Sequence, residues 1–313
     1  MSRRNVIAPL VLAFLLIPPI AIATGAGGHP IPKRTQPAKS AGFTLADWPM
    51  TDAERRGKAV YERKCFGCHG KTGRGDGEAA AYLNPIPRNF QRGQFKFRST
   101  GGSDLPLNED LLHTVTCGLP GSSMPSFRLV PEEERQDVIA YVLYLATFGR
   151  AAQEVQFMLE DGTKTLAQIK GSIESLRATV RADLLESRRR VALPKVPDST
   201  PASIAAGRLL YQKTCAACHG TTGRGDGFSS FALRDWKDAQ VVPRDFTGGV
   251  FRAGSSSRDL FLRLRTGITG TPMPAVSRSD AELWSIVHYI ESLVRPGVIP
   301  VTRGVGCSHG GDR

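Results

Sequence analysis

The chain has 313 residues, of which 41% are hydrophobic, a length and composition typical of globular material in about two domains. Its formal net charge of +12 would suit a nucleic-acid partner if the charge formed one basic patch. The charge is divided instead: residues 1–40 hold five Lys or Arg and no acidic residue, and most of the remaining excess lies in residues 201–300. We therefore expect no nucleic-acid partner.

The N-terminal segment has the pattern of an export signal. A basic stretch at residues 2–5 precedes the apolar residues 6–23, which end in a small-x-small cleavage site, Ala21 to Ala23. We expect residues 1–23 to be a signal peptide that directs the protein to the periplasm, and residues 24–43 to be a flexible lead-in. The alternative is an uncleaved anchor in the inner membrane, since about eighteen apolar residues can just span a bilayer. Three prolines interrupt this segment and disfavour the anchor.

A capping box formed by Thr51 and Glu54 predicts the start of a helix that runs into Cys65-Phe66-Gly67-Cys68-His69. Cys-x-x-Cys-His is the attachment signature of a c-type haem. The two thiols can add to the two vinyl groups of one porphyrin, and the histidine that follows can bind the iron as proximal ligand. A dithiol redox pair or half of a zinc site would also use two cysteines, but a four-cysteine zinc site leaves the histidine unexplained.

The rest of the first unit, residues 44–150, contains two further helices by pattern. Residues 84–98 show little periodicity and predict a loop around the haem, and residues 109–116 predict a short helix. A loop rich in Gly and Pro then presents Met124. Pro131 and the acidic residues after it predict the start of a last helix, whose apolar face runs to Phe148 and which we expect Gly149 to end.

Residues 151–199 belong to neither unit and predict a partly helical linker. Apolar residues from Leu166 to Leu184 recur at spacings of three and four, which indicates an amphipathic helix. We expect this helix to pack on the domains rather than to pair with another chain. A run of prolines, from Pro194 to Pro201, closes the linker.

Residues 200–297 repeat the first unit, and residues 298–313 form a tail that we expect to be flexible. Cys215, Cys218 and His219 make a second Cys-x-x-Cys-His, and both motifs continue into a Gly-Arg-Gly-Asp-Gly sequence. Two copies with matching tails favour haem over any dithiol or zinc alternative. We predict two covalently bound haem c groups, attached through Cys65, Cys68, Cys215 and Cys218.

A second axial ligand for each iron is expected from a methionine. Met124 and Met273 each lie in a Gly-x-x-Met-Pro loop, 55 and 54 residues after the histidine of their own motif. A thioether is a weaker donor to ferric iron than a second imidazole, and it raises the reduction potential. The alternative for each methionine is core packing. His113 and His288 are rival ligands for which we expect packing or surface roles. The predicted axial ligands are His69, Met124, His219 and Met273.

With these motifs, each unit resembles a small class I cytochrome c domain. The resemblance covers roughly residues 44–150 and 200–297 and implies an all-α protein of two cytochrome c-like helical domains in tandem, joined by the partly helical linker. In that family a loop carbonyl next to a proline accepts the Nδ1 proton of the proximal histidine. Pro87 and Pro243 are the positions assigned to this role. Arg88 and Arg244 would pair with haem propionates or else be ordinary surface charges.

Two cysteines lie outside the haem motifs. Cys117 is expected to be a buried structural thiol, although its place seven residues before Met124 also allows a thiolate ligand, as in di-haem thiosulfate-oxidising enzymes. Cys307 lies in the Gly-rich tail with His309, and we expect it to have neither a lipid nor a metal role.

The leading functional hypothesis is an exported electron carrier that exchanges electrons between two redox proteins in a respiratory or oxidative chain and binds no substrate. The runner-up is a di-haem enzyme, such as a cytochrome c peroxidase or a thiosulfate dehydrogenase, in which one iron opens a coordination position. A third hypothesis keeps the leader uncleaved and makes the chain a membrane-tethered haem subunit of an oxidoreductase complex. Two matched methionine loops favour the carrier.

Overall fold

The computed structural model describes residues 42–235, 238–252 and 254–297. These residues form ten α-helices and no β-strand, which confirms the predicted all-α fold. The predicted signal peptide, nearly all of the lead-in, and the tail with Cys307 and His309 lie outside the described residues. Within the described part, no helix combines the length and the apolar character needed to cross a membrane.

The helices repeat in the order that the sequence repeats. The first domain contains α1 (Asp52–Lys64), α2 (Phe66–His69), α3 (Asn108–Cys117) and α4 (Glu132–Glu160), with 3₁₀ turns at Leu45–Asp47, Ala80–Tyr82 and Phe90–Arg92. The linker contains α5 (Leu166–Gly171), α6 (Ile173–Arg181) and a π-helical turn, Ala182–Glu186. The second domain contains α7 (Pro201–Thr214), α8 (Ala216–His219), α9 (Ser257–Thr266) and α10 (Asp280–Ser292), with a 3₁₀ turn at Ser230–Ala232.

In both domains the first helix crosses the last one at a glycine. A Cβ atom on Gly57 of α1 would lie only 1.9 Å from the backbone oxygen of Asp137 in α4. Gly207 of α7 meets the backbone oxygen of Ser285 in α10 in the same way, at 1.8 Å. Because glycine has no side chain, the two backbones can touch at this point. The internal repeat is therefore a repeat of packing as well as of sequence.

The last helix of the first domain is longer than predicted. Helix α4 does not end at Gly149 but continues to Glu160, so the prediction that Gly149 terminates it is wrong. A Cβ atom at Gly149 would lie 1.8 Å from the backbone oxygen of Gln91, in the turn Phe90–Arg92. The glycine is therefore needed inside the helix for close approach to another backbone segment, and not as a terminator.

The linker helices pack on the first domain. Ile169 of α5 and Val180 of α6 are fully buried and join the same core as Phe43, Trp48 and α4. The carboxylate of Glu54 in α1 is also buried, and it accepts hydrogen bonds from Arg177 at 2.8 Å and from Arg181 at 3.0 Å. The apolar face predicted for residues 166–184 is thus covered by the first domain of the same chain.

Candidate functional site

Each Cys-x-x-Cys-His motif is held as a single extra helical turn after the first helix of its domain. Helix α1 ends at Lys64, and α2 carries Cys68 and His69. Gly70 follows with a φ of +79°, and a side chain at this position would also collide with the carboxylate of Asp76. The Gly-Arg-Gly-Asp-Gly tail therefore folds back beneath the motif, where the backbone N–H of Gly75 donates to the carbonyl oxygen of His69 at 2.8 Å.

The second motif is built in the same way. The backbone N–H of Gly225 donates to the carbonyl oxygen of His219 at 2.9 Å. A buried tyrosine of the first helix also fixes the turn in each domain. Tyr61 donates to the carbonyl oxygen of Gly70 at 2.7 Å, and Tyr211 donates to that of Gly220 at 2.8 Å. The tail residues that the two repeats share are thus structural supports of the motif.

Both histidine rings have a fixed position and a fixed proton. The ring of His69 stacks on Phe90 and that of His219 on Phe246, each with 4.5 Å between ring centroids. Nδ1 of His69 lies 3.1 Å from the carbonyl oxygen of Arg88, and Nδ1 of His219 lies 3.3 Å from that of Arg244. Because a carbonyl only accepts, Nδ1 carries the proton and Nε2 keeps a lone pair for a metal.

The carbonyl that orients each histidine was predicted one residue too early. The assignment to Pro87 and Pro243 is wrong, because the acceptors belong to Arg88 and Arg244. The oxygen of Pro87 lies instead against Gly75, where an added Cβ would meet it at 2.4 Å. Burial lowers the pKa of both histidines below the ordinary value, which keeps the rings neutral and able to bind iron.

The first motif opens onto an apolar cavity of about 190 Å³. Cys65, Cys68 and His69 line it, and Met124 lines it as well. Residues of the segments 83–97 and 119–130 supply most of the remaining wall, and aliphatic side chains of α1, α3 and α4 complete it. Burial raises the pKa of the Cys65 thiol to about 11. Two thiols, one neutral imidazole and one thioether around an apolar cavity are the groups that a covalently attached porphyrin with a six-coordinate iron requires.

The second motif opens onto a cavity of about 390 Å³ with the same set of groups. Cys215, Cys218 and His219 line it together with Met273, and the pKa of the Cys215 thiol is again raised to about 11 by burial. In the described part of the chain, no cluster of three or more His, Cys, Asp or Glu could hold a metal ion. A zinc site built from the described cysteines therefore has no support.

The two methionines lie in loops of the same geometry. The backbone N–H of Leu119 donates to the carbonyl oxygen of Met124, and that of Ile268 donates to the carbonyl oxygen of Met273, both at 3.0 Å. A hydroxyl two residues earlier, on Ser122 or Thr271, accepts from the backbone N–H of each methionine at 3.3 Å. The two loops therefore share the same backbone hydrogen bonds, and each places its methionine in the wall of its own cavity.

The rival ligands lie elsewhere. His113 is half-buried on α3 and His288 is buried in α10, where its Nδ1 lies 2.8 Å from the hydroxyl of Ser203. Neither histidine lines either cavity in the part of the chain that the structure describes. Cys117 is half-buried, is disulfide-bonded and does not line the first cavity. It is therefore neither the buried free thiol nor the thiolate ligand that the sequence allowed.

Several cations beside the cavities were not predicted from the sequence. Arg88 lines the first cavity and Arg244 the second, and their pairing with propionates stays a prediction. Lys96, Arg252 and Arg263 also line the cavities, and the sequence did not single them out. The sequence repeat could have identified Lys96 and Arg252. A basic residue follows the equivalent phenylalanine in both repeats, Lys96 after Phe95 and Arg252 after Phe251.

The comparisons with known proteins agree with this geometry. The family model for cytochrome c oxidase, cbb3-type, subunit III matches the chain twice, at residues 52–142 and 202–290. The chain belongs to this family of class I-type cytochromes c, and it contains the domain in tandem. The family implies covalently bound haem c and haem-based electron transfer.

A chain of the reducing HAO-like protein complex of Kuenenia stuttgartiensis is similar to this cytochrome over most of its length. The two are 33% identical with a TM-score of 0.61, and the match covers 79% of this chain and 98% of that one. No curated protein matched the chain in the sequence comparison.

Proposed function

We propose that this cytochrome is an exported di-haem electron carrier with one haem c in each cavity. The observation that supports this most strongly is the duplication of the complete site: two cavities, each lined by two thiols, a histidine and a methionine. Cys65 and Cys68 would hold the first haem, and Cys215 and Cys218 the second. The bound haem supplies a one-electron couple between ferric and ferrous iron.

The side chains explain why such a site would carry electrons without catalysing a substrate reaction. His69 and Met124 would bind the first iron, and His219 and Met273 the second, so that both irons are saturated. The hydrogen bonds from Nδ1 to the carbonyls of Arg88 and Arg244 fix the orientation in which the two imidazoles would hold the irons. Rigid, saturated coordination favours electron exchange with a docked partner over binding of peroxide or thiosulfate.

We infer that the carrier works in the periplasm beside a larger redox protein. The N-terminal signal pattern supports export. The similar chain from Kuenenia stuttgartiensis is part of a reducing HAO-like protein complex, and this supports a role as a subunit or partner that exchanges electrons with an oxidoreductase. The donor and the acceptor are redox proteins in this proposal.

Methionine substitutions test the proposal one haem at a time. Met273→Ala should leave the second iron five-coordinate, so that the reduced protein binds one equivalent of carbon monoxide while the first haem keeps its low-spin spectrum. Met124→Ala should do the reverse, and each variant is the matched control for the other. A Met273→Ala protein that binds no carbon monoxide when reduced would mean that another group, not Met273, fills the sixth position.

A further inference from the structure

The two cavities share part of their wall. Lys96 and Phe97 of the first domain line the cavity of the second domain as well as that of their own. Arg263 of α9, in the second domain, contacts the same segment of the first domain. It donates to the carbonyl oxygen of Arg98 at 2.8 Å, and its guanidinium lies 5.7 Å from the centre of the Phe97 ring. The second cavity is therefore completed by residues of the first domain.

The contact is reciprocal. Arg252 of the second domain donates to the carbonyl oxygen of Gly121 at 3.2 Å, and Gly121 belongs to the loop that carries Met124. The guanidinium of Arg244 lies beside the same glycine, 3.2 Å from where its Cβ would be. Lys96 and Arg252 occupy equivalent positions of the two repeats, so the internal symmetry brings their charges to one junction.

In the part of the chain that the structure describes, these cations form no ion pair with a carboxylate. Among the ion pairs of the described residues, none involves the six basic side chains near it, which are Arg88, Lys96, Arg98, Arg244, Arg252 and Arg263. Three of them also keep a buried Nε without a hydrogen-bond partner: Arg98, Arg252 and Arg263. The carboxylates of Asp235 and Asp259 act on Arg88, Lys96 and Arg263 only through longer-range electrostatics. Partly buried positive charge that no ion pair neutralises is costly, so the junction favours anions.

The titration behaviour of the cluster agrees with this. Burial, together with the charges of Arg88 and Arg252, lowers the pKa of Lys96 to about 8, while Asp235 acts in the opposite direction. Burial also lowers the pKa of Arg88 and of Arg263 to about 10. An anion placed among these side chains would relieve both their desolvation and their mutual repulsion.

We propose that the junction is one anion site shared by both domains, that it receives propionate carboxylates of both haems, and that Lys96 couples the two irons electrostatically. This inference rests on the proposed function, because it needs a haem in each cavity. Each haem carries two carboxylates on its polar edge, and much of the remaining cavity wall is apolar. A positive charge shared by both sites favours the reduced form of both irons.

Redox titration of point variants tests the inference. Lys96→Gln should lower the midpoint potential of both haems, whereas Arg88→Gln should lower mainly that of the first, because Arg88 lines only the first cavity. Lys58→Gln is the control, since it removes the same charge from the outer face of α1, where the side chain is 45% exposed. Lys96→Arg keeps the charge and should leave both potentials near their original values.

The outcomes separate this inference from the proposed function. If Lys96→Gln lowers neither potential, or only one, while the unmodified protein takes up two electrons and binds no carbon monoxide, the shared site is wrong and the carrier stands. If Lys96→Gln does not fold with both haems, Lys96→Met removes the same charge, keeps an unbranched side chain and makes the same test. The unmodified protein is also titrated with inorganic phosphate at constant ionic strength. If its midpoint potentials change, a solution anion occupies the site and the propionate assignment is wrong.

Discussion

Replacing Glu54 by Gln should destabilise the first domain by separating the linker from it. Glu54 is 3% exposed and accepts hydrogen bonds from Arg177 and Arg181, which lie more than 120 residues later in the chain. An amide keeps the size and one acceptor oxygen but removes the negative charge. Two guanidinium groups would then face each other across a neutral side chain.

The size of the effect follows from burial. Breaking a buried ion pair costs about 3–5 kcal/mol. The side chain of Arg177 is 13% exposed, but that of Arg181 is 36% exposed and can recover part of its hydration. The Gln side chain also retains part of the hydrogen bonding. We therefore expect a loss of about 2–4 kcal/mol in the free energy of unfolding.

Urea denaturation of the holoprotein measures this loss. With a urea slope of about 2 kcal/mol per molar, the midpoint should fall by about 1–2 M for the transition of the first domain. Glu62→Gln is the matched control, because Glu62 lies on the same helix but is 59% exposed in a 3.8 Å pair with Lys58. Its effect should stay below about 0.5 kcal/mol. Equal midpoints for the two variants would refute the argument that the linker is anchored through Glu54.

Two further changes test the packing of α4 and the surface contact of α5. Gly149→Ala should lower the free energy of unfolding by about 1–3 kcal/mol in urea denaturation, because the new Cβ would lie 1.8 Å from the backbone oxygen of Gln91. Gly171→Ala is the control: a Cβ there would have no atom within 4 Å, so this change should be neutral or stabilising. A hydrogen bond from Lys170 lowers the pKa of the Asp47 carboxyl below its ordinary value. The ionised Asp47 therefore stabilises the fold above a pH of about 4, and this stabilisation is lost as the pH falls through the lowered pKa. Asp47→Asn should therefore be less stable than the unmodified protein at pH 6, and the difference should shrink at pH 3; a constant difference would contradict this.

The features that could be predicted from the sequence are local or repeated. The Cys-x-x-Cys-His motifs, the capping box at Thr51 and the methionine loops depend on neighbouring residues, and the second copy supports each interpretation of the first. The acceptor for His69 was misplaced by one residue because the direction of a carbonyl in an irregular loop depends on contacts such as that of Pro87 with Gly75.

Features that depend on distant segments could not be predicted. Glycine commonly ends a helix, so the sequence favoured termination at Gly149. Only the packing of α4 against Gln91 explains why a glycine lies inside the helix. The buried partners of Glu54 are more than 120 residues away, and no sequence pattern connects them. The basic junction arises because the two repeats face each other, which brings Lys96 to a cavity whose own cysteines lie more than 100 residues later.

Carbon monoxide titration of the unmodified, fully reduced holoprotein, with the haem content determined on the denatured chain, tests the central claim most directly. Two covalently bound haems per chain and an absorption spectrum that carbon monoxide does not change near neutral pH would agree with saturated irons at both sites. Binding of one equivalent of carbon monoxide would show that one iron has an open or readily opened position. In that case the carrier function would be wrong, and a di-haem enzyme would take its place.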